Sequence, residues 1–504
     1  MSGAPAAGGA PAAAGAPAAP GGSGAPGAGG EAGAPDASGA APEAAGPVID
    51  LSVPQRIHVV GAGGAGMSAI ATVLAAMGHE VTGSDLKASS TLLRLQGSGL
   101  AVHVGHDPAF VDDATALTVS SAIPPSNVEV AEARRRDIPV LSRADVLATI
   151  ATMRRTIAVA GTHGKTTTAS MLSLILIEAG LKPSFIIGGD LNDIGTNAAW
   201  DTGEWLVVEA DESDRTFLRL SPEVAVVTSI EPDHLETYGS FSVLKDAFAS
   251  FMTQASACVV SADDATASAL APPEAATFGL DPRARFRIAD VHVARSSVSF
   301  TLSDSVPGGR GSLGAFQLAV PGEYNARNAA AAVVAADVVG VDVEAARRAL
   351  ARFAGVARRF EFRGERNGVT FVDDYAHLPS EVKACLGAVL AGGYSRVVCV
   401  FQPHRYSRMA ALAPDFASAF VDCDVLFVTD IYSAGEDPRP GVTGRLIVDA
   451  VLGAQPDAKA IYTATHEELL WNLRGVLRPG DCCITLEAGD LTGLPDELLS
   501  DQSW

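Results

Sequence analysis

Between Ile157 and Thr168 the chain takes a course that few folds accommodate. An apolar run, Ile157-Ala158-Val159-Ala160, stops at a tight glycine turn, Gly161-Thr162-His163-Gly164, and Lys165-Thr166-Thr167-Thr168 opens a helix. A turn of this kind aims successive backbone N–H groups into one concavity that can cradle a polyphosphate. The helix starting near Lys165 adds the positive end of its dipole at the same place. From there Lys165 reaches the β- and γ-phosphates, and the Thr166 hydroxyl is placed to ligate Mg²⁺. The general phosphate-loop pattern carries a glycine five residues before Gly164, where this chain has Val159, so the motif is a shortened form, Gly-Thr-x-Gly-Lys-Thr-Thr. It implies ATP bound by Gly161, Thr162, His163, Gly164, Lys165, Thr166 and Thr167.

Two other segments also start with a strand and alternate strands with helices. One begins at Arg56-Ile57-His58-Val59-Val60, passes a Gly-rich turn into a predicted helix from Met67 to Met77, and continues at Glu80–Asp85. The other offers Val397–Phe401, Val425–Val428 and Cys482–Leu486. The central segment adds Trp205–Glu209, Val224–Thr228 and an Ala/Val-rich helix candidate from Ala329 to Val339. Near-continuous apolar strands with helices between them mean mostly parallel sheets covered on both faces. A chain of 504 residues exceeds what one core supports. The expected fold is therefore α/β in three domains. These are a Rossmann-like domain over 49–153, a central phosphate-loop domain with a parallel sheet over 154–352, and a C-terminal Rossmann-like α/β domain over 353–504. Residues 1–48, nearly all Ala, Gly, Pro and Ser, cannot bury enough apolar surface to offset chain entropy and read as a disordered tail.

The net charge of −22 argues against nucleic acid or an anionic membrane as a partner, because both need a basic field. No apolar run is long enough to span a bilayer, and the first basic residue is Arg56, so no charged leader precedes the folded part. Six scattered cysteines without CxxC spacing suggest neither a zinc site nor a disulfide framework, and a reduced cytoplasmic enzyme is expected. Adjacent Cys482 and Cys483 should point to opposite faces of one strand.

In the first segment Gly61-Ala62-Gly63-Gly64-Ala65-Gly66 fits G-x-G-x-x-G, with Asp85 nineteen residues beyond Gly66. Glycines there let a pyrophosphate approach and the acid meets a ribose hydroxyl, which fits NAD, FAD or a UDP-sugar alike. Ser120 and Ser121 end another apolar run, where strand C-termini line the ligand crevice. In the central segment Glu209-Ala210-Asp211-Glu212-Ser213-Asp214 and Glu231-Pro232-Asp233-His234 each follow a strand, beside the phosphate loop, where Mg²⁺ ligands belong. In the third, Asp373-Asp374-Tyr375-Ala376-His377-Leu378-Pro379 and Gln402-Pro403-His404-Arg405-Tyr406-Ser407-Arg408 stand out. Two arginines three residues apart make a fork suited to a carboxylate or phosphate.

Taken together, GAGGAGMS, GTHGKTTT, EADESDRTFL, EPDHLETYG, GVARRFE, DDYAH, FQPHRYSR and DIYSAGEDPRPGVTG resemble the Mur ligases, from about Arg56 to the end. Within that family they are most similar to the branch that joins L-alanine to UDP-N-acetylmuramate. The resemblance implies that the first domain binds a UDP-sugar, not NAD, through Gly61, Gly63, Gly64, Gly66, Asp85, Ser120 and Ser121. It implies Lys165 on the β/γ-phosphates, Thr166 and Glu209 on a first Mg²⁺, and His234 on a second. Asn328 and Arg359 would contact the nucleotide and Asp374 its ribose, while Tyr375, His377, Arg405 and Arg408 would receive the alanine. Lys165, Glu209, His234 and His377 would be the catalytic set; the resemblance leaves open which group deprotonates the incoming amine, and His377 is the candidate. The implied cofactors are ATP and Mg²⁺, and the implied assembly is a monomer or weak homodimer. The chain departs from the family pattern at Tyr324 (usually His), Leu378 (usually His) and Glu487 (usually Gly). The rival readings are a ligase that recycles a whole tripeptide onto the same sugar and a nicotinamide-dependent oxidoreductase.

Overall fold

The computed structural model describes residues 49–120, 122–306 and 308–501. The reading of residues 1–48 as a tail and the assignment of Ser121 to the sugar site lie outside the described residues. Three sheets follow one another along the chain. The first is fully parallel, in the order Ala101–Val104, Glu80–Asp85, Arg56–Val60, Ala116–Val119, Val140–Ser142. Its order reverses at Arg56–Val60, and the helix Ala65–Ala76 leaves from that strand's C-terminal end. The helix starts two residues before Met67 because Gly64 is the extended residue at its N-terminus. Met67 is the first buried side chain of that helix, and burial is all that an apolar pattern can register.

The second sheet has ten strands, with Arg155–Ala160 held between Val224–Val227 and Trp205–Glu209, both parallel to it. The phosphate loop thus leaves the sheet at a switch in strand order, where an α/β sheet opens its ligand crevice. This sheet is mixed rather than purely parallel. An antiparallel strand, Thr196–Ala199, closes one edge, and a meander of Phe286–Ala294, Ser297–Asp304 and Gly311–Leu318 extends the other. In Ser297–Asp304 buried and half-buried residues alternate, the period-2 signature of a strand with one face on the core.

Helix Lys165–Glu178 is buried on every side from Thr166 to Leu176. It packs against the second sheet and against helices Glu323–Val338 and Val343–Arg352. The alanines from Ala329 to Ala336 let the first of these helices, Glu323–Val338, approach closely. Each fully buried Leu or Ile of Lys165–Glu178 contributes about 1.5–3 kcal/mol, so the helix and the turn at its head are fixed in place. An apolar core that includes Ile70 and Leu74 from the first domain and Ile186 and Ala198 from the second joins the two. This aims the N-terminus of helix Ala65–Ala76 toward the phosphate loop.

The third sheet runs Glu361–Arg366, Val369–Asp374, Asp481–Glu487, Arg396–Gln402, Val425–Val428, Ala460–Tyr462, with the first strand antiparallel. Cys482 and Cys483 belong to different apolar clusters on the two faces of this sheet, as the period of a strand requires. All six cysteines are free thiols.

Candidate active site

Two glycines of the phosphate loop are dictated by their surroundings. Gly164 has φ +78, and a Cβ there would lie 2.3 Å from Asn328 Oδ1. Gly161 has φ +133, and its Cβ would lie 2.2 Å from Thr228 Oγ1. Lys165 Nζ donates to Gly161 O at 2.6 Å and to both oxygens of Glu212 at 2.9 and 3.0 Å. Burial works against its charge, yet the carboxylates of Glu212, Asp211 and Glu209 win and hold the ammonium well above the usual lysine range.

The acidic run after Trp205–Glu209 divides its labour. Glu209 accepts from the Thr166 hydroxyl at 3.1 Å and from the Gly188 N–H at 2.7 Å. Glu212, 2% exposed, is the counter-ion of Lys165. Asp211 and Asp214 face Arg143 at 3.7 and 3.6 Å. A hydroxyl beside a carboxylate is the hard-oxygen pair that Mg²⁺ takes, with water and phosphate supplying the rest. Among the described residues no three His, Cys, Asp or Glu side chains form a ready-made metal cage. His234 lines the same cleft but its ring meets Asp233 at 3.2 Å and Glu236 at 3.7 Å, so the structure pairs Thr166 with Glu209 and sets His234 among other acids.

A cavity of about 340 Å³ lies against the phosphate loop, lined by Gly164, Thr167, Tyr324, Asn328, Arg359 and Asp374 among others. Asn328 is held by Asn325 Oδ1 at 3.3 Å. Asp374 accepts the N–H groups of Phe360 and Ala376, both at 2.7 Å. Burial pushes its carboxyl upward, against the opposing pull of Arg359. Arg359 also reaches Thr166 Oγ1 at 3.5 Å and lies 4.7 Å over the Tyr375 ring.

A larger cleft of about 720 Å³ joins all three domains. The phosphate loop, Gly66, Glu209 and His234 line it, as do Tyr375, His377, Arg405 and Arg408 from the third domain. His377 Nδ1 faces Tyr375 O at 2.9 Å. A carbonyl can only accept, so Nδ1 carries the hydrogen and Nε2 keeps its lone pair. Burial, helped by Arg408, lowers this imidazole to about 4, and it stays neutral at pH 7. The arginine fork is engaged one residue at a time: Arg408 contacts Asp233 at 3.2 Å and His404 Nδ1 at 3.0 Å, and Arg405 contacts Glu236 at 3.3 Å. Leu378 is buried at the rim, and Glu487 is wholly buried as the partner of Arg358.

In the first domain Gly61, with φ +84, donates to Ser84 O at 2.9 Å and abuts Ser120. Gly63 N–H donates to Asp85 Oδ2 at 2.9 Å. Gly64 heads the helix without a side-chain cap, which leaves backbone donors free at its N-terminus. Of these glycines Gly66 lines the large cleft, under the guanidinium of Arg143. Arg143 escaped the sequence reading, although it follows the strand Val140–Ser142 at the edge where ligands bind. Glu212 as the lysine's partner and Glu381 as a bridge to the phosphate loop escaped it too. Their partners are 47 and 218 residues away.

Three family models lie end to end on the chain. They are described as Mur ligase family, catalytic domain (residues 56–155), Mur ligase middle domain (159–336) and Mur ligase, glutamate ligase domain (358–489). A UDP-N-acetylmuramate–L-alanine ligase of Anaeromyxobacter sp. (strain Fw109-5) is 42% identical, over 89% of this chain and 98% of its own. One from Rubrobacter xylanophilus is 44% identical, over 88% and 99%. Among solved structures, a UDP-N-acetylmuramate–alanine ligase from Thermotoga maritima matches with TM-score 0.75 at 27% identity, covering 88% of this chain and 98% of that one. A murein peptide ligase from Psychrobacter arcticus matches with TM-score 0.65 at 23% identity, covering 88% and 98%, which bears on the fold alone. With domain models over nearly all of the described residues and relatives above 40% identity over most of its length, this chain belongs to the Mur ligase family.

Proposed function

We propose that this protein is an ATP-dependent ligase that joins L-alanine to the lactyl carboxylate of UDP-N-acetylmuramate, giving the amide, ADP and phosphate. One observation carries the reading: a single cleft unites the phosphate loop, the Thr166–Glu209 pair and the Tyr375/His377/Arg405/Arg408 pocket. The substrates are those in the names of relatives above 40% identity.

A carboxylate resists amine attack because oxide is a poor leaving group. In the first step the lactyl carboxylate attacks the γ-phosphorus of ATP. A new O–P bond forms, the bridging Pγ–O bond breaks, and ADP leaves with that electron pair. Lys165 would neutralise the charge spread over the transferring group. Thr166 and Glu209, with His234 nearby, would hold Mg²⁺, whose charge stabilises phosphoryl oxygens. Asn328, Arg359 and Asp374 would hold the nucleotide, and the turn at Gly61–Gly66 with Asp85 and Ser120 would hold the UDP. In the second step the alanine amine attacks the acyl carbon, the C–N bond forms, and phosphate departs with the C–O pair. The neutral His377 Nε2 would take the ammonium proton as that bond forms. Arg405 and Arg408 would exchange their carboxylate partners for the carboxylate of alanine.

Free cysteines and the use of ATP support a cytoplasmic location, and the protein would act as a monomer or weak homodimer. Among the described residues no helix is long and apolar enough to cross a membrane. The test is incubation with MgATP and UDP-N-acetylmuramate, with and without L-alanine, following phosphate and product mass. Phosphate release that needs both substrates, with a mass gain of one alanine residue, supports the proposal. Product with a tripeptide but not with alanine moves the assignment to the recycling ligase, and NAD(P)H binding without ATP turnover would revive the oxidoreductase.

A further inference from the structure

His163 stands in the phosphate loop, yet its ring is engaged by the third domain. Nδ1 meets Glu381 Oε1 at 3.0 Å. Nε2 meets Ser380 Oγ at 3.1 Å and Glu231 Oε2 at 3.2 Å. Ser380 in turn donates to Glu231 Oε2 at 2.8 Å, so the ring lies between one acid of the central domain and one of the third. A carboxylate at each ring nitrogen calls for a donor at each, which is the imidazolium. Burial opposes that charge, but Glu381 and Glu231 overcome it and lift the ring to about 10.

The second oxygen of Glu381 is equally committed. Oε2 accepts the backbone N–H of His377 at 2.9 Å and of Leu378 at 3.1 Å, at the head of helix Pro379–Ala391. One carboxylate therefore links the loop that takes the γ-phosphate to the backbone that presents His377. On its own side the loop is pinned as well, with His163 N–H donating to Ser229 Oγ at 3.0 Å and Thr162 N–H to Ser229 O at 2.9 Å. Loop, imidazole, carboxylate and His377 backbone form one chain of short contacts across the domain boundary.

We infer that His163 is a positioning residue that acts through Glu381, seating the alanine pocket of the third domain over the phosphate loop so that the acyl phosphate forms in a closed site. The inference rests on the ligase reading above. The His163 backbone belongs to the nucleotide cradle, while its side chain commits both ring nitrogens to Glu381, Ser380 and Glu231. An unlatched third domain would leave water access to the acyl phosphate, and water attack on it returns the carboxylate and free phosphate without an amide.

The test uses the full-length protein and the variants His163→Asn, Glu381→Gln and the double. Each single change should raise the alanine KM about tenfold and lift phosphate released per amide formed above one. The double should be no worse than either single, since both break the same bridge. A merely structural role would lower Tm while leaving the phosphate-to-amide ratio at one. Amide hydrogen exchange over 376–382 in the ligand-free protein supplies a readout independent of turnover, and both variants should exchange faster there. If wild type makes the amide and His163→Asn keeps its alanine KM, stoichiometry and exchange rates, the inference is overturned. If wild type makes no amide, the ligase reading falls, and exchange alone then decides the bridge: faster upholds it, unchanged overturns it.

Discussion

Replacing Lys165 with Met removes the cation but keeps most of the side chain's bulk, and the structure bounds what that costs. Glu212, 2% exposed, loses its counter-ion, and the Gly161 carbonyl loses a donor. A stranded buried carboxylate has a way out, because it can take up a proton. Starting from its ordinary value of 4.5, staying protonated costs about 3 kcal/mol at pH 7 and about 2 kcal/mol at pH 6. The sign follows from linkage: the folded variant binds a proton that the unfolded chain has released, so its stability falls as pH rises above 4.5. For a domain the size of the middle domain, residues 159–336, each kcal/mol moves Tm by about 2–4 °C. The expected loss relative to wild type is at most about 6–12 °C at pH 7 and about 4–8 °C at pH 6, because burial already raises the Glu212 carboxyl in wild type against the pull of Lys165. Adding Glu212→Gln removes the stranded charge and should restore most of the loss, while ATP binding stays abolished in both variants. Scanning calorimetry at the two pH values with ATP titrations by isothermal calorimetry decides it. A Lys165→Met deficit that does not narrow at pH 6, or a double variant no more stable than the single, would refute the pairing argument.

Two more outcomes are expected. Gly164→Ala should cost about 1–2 kcal/mol of backbone strain at φ +78, and its Cβ should displace Asn328, so that ATP raises Tm far less than in wild type; thermal scans with and without ATP measure both. Glu209→Gln should weaken Mg²⁺ binding, raising about tenfold or more the Mg²⁺ concentration for half-maximal activity with the ATP-independent Tm within a few degrees of wild type; a Mg²⁺ titration of phosphate release checks it.

Much of the local structure was legible because it rests on local physics. The apolar strand Trp205–Glu209 matches the observed element residue for residue, and Arg155–Ala160 ends where the glycine turn begins. Cys482 and Cys483 separate to two faces because a strand has a period of two. The strands of the edge meander, Phe286–Ala294, Ser297–Asp304 and Gly311–Leu318, were missed. They alternate polar and apolar residues, whereas the reading followed continuous apolar runs.

The site divides along the same line. Backbone turns, strand-end acids and the order of the three sheets follow from residues a few positions apart, so the sequence alone determined the α/β class, the phosphate loop and the family resemblance. Which acid faces which base did not follow. Glu212 on Lys165, Asp233 on Arg408, Arg143 over Gly66 and Glu381 on His163 are pairings between segments 47 to 218 residues apart. An ion pair selects its partner by distance in space, and charges so far apart in the chain meet where the packing of the domains places them. Composition says that acids are plentiful; tertiary structure decided that Glu209 meets Thr166, Glu212 meets Lys165 and Glu381 ties the third domain to the phosphate loop.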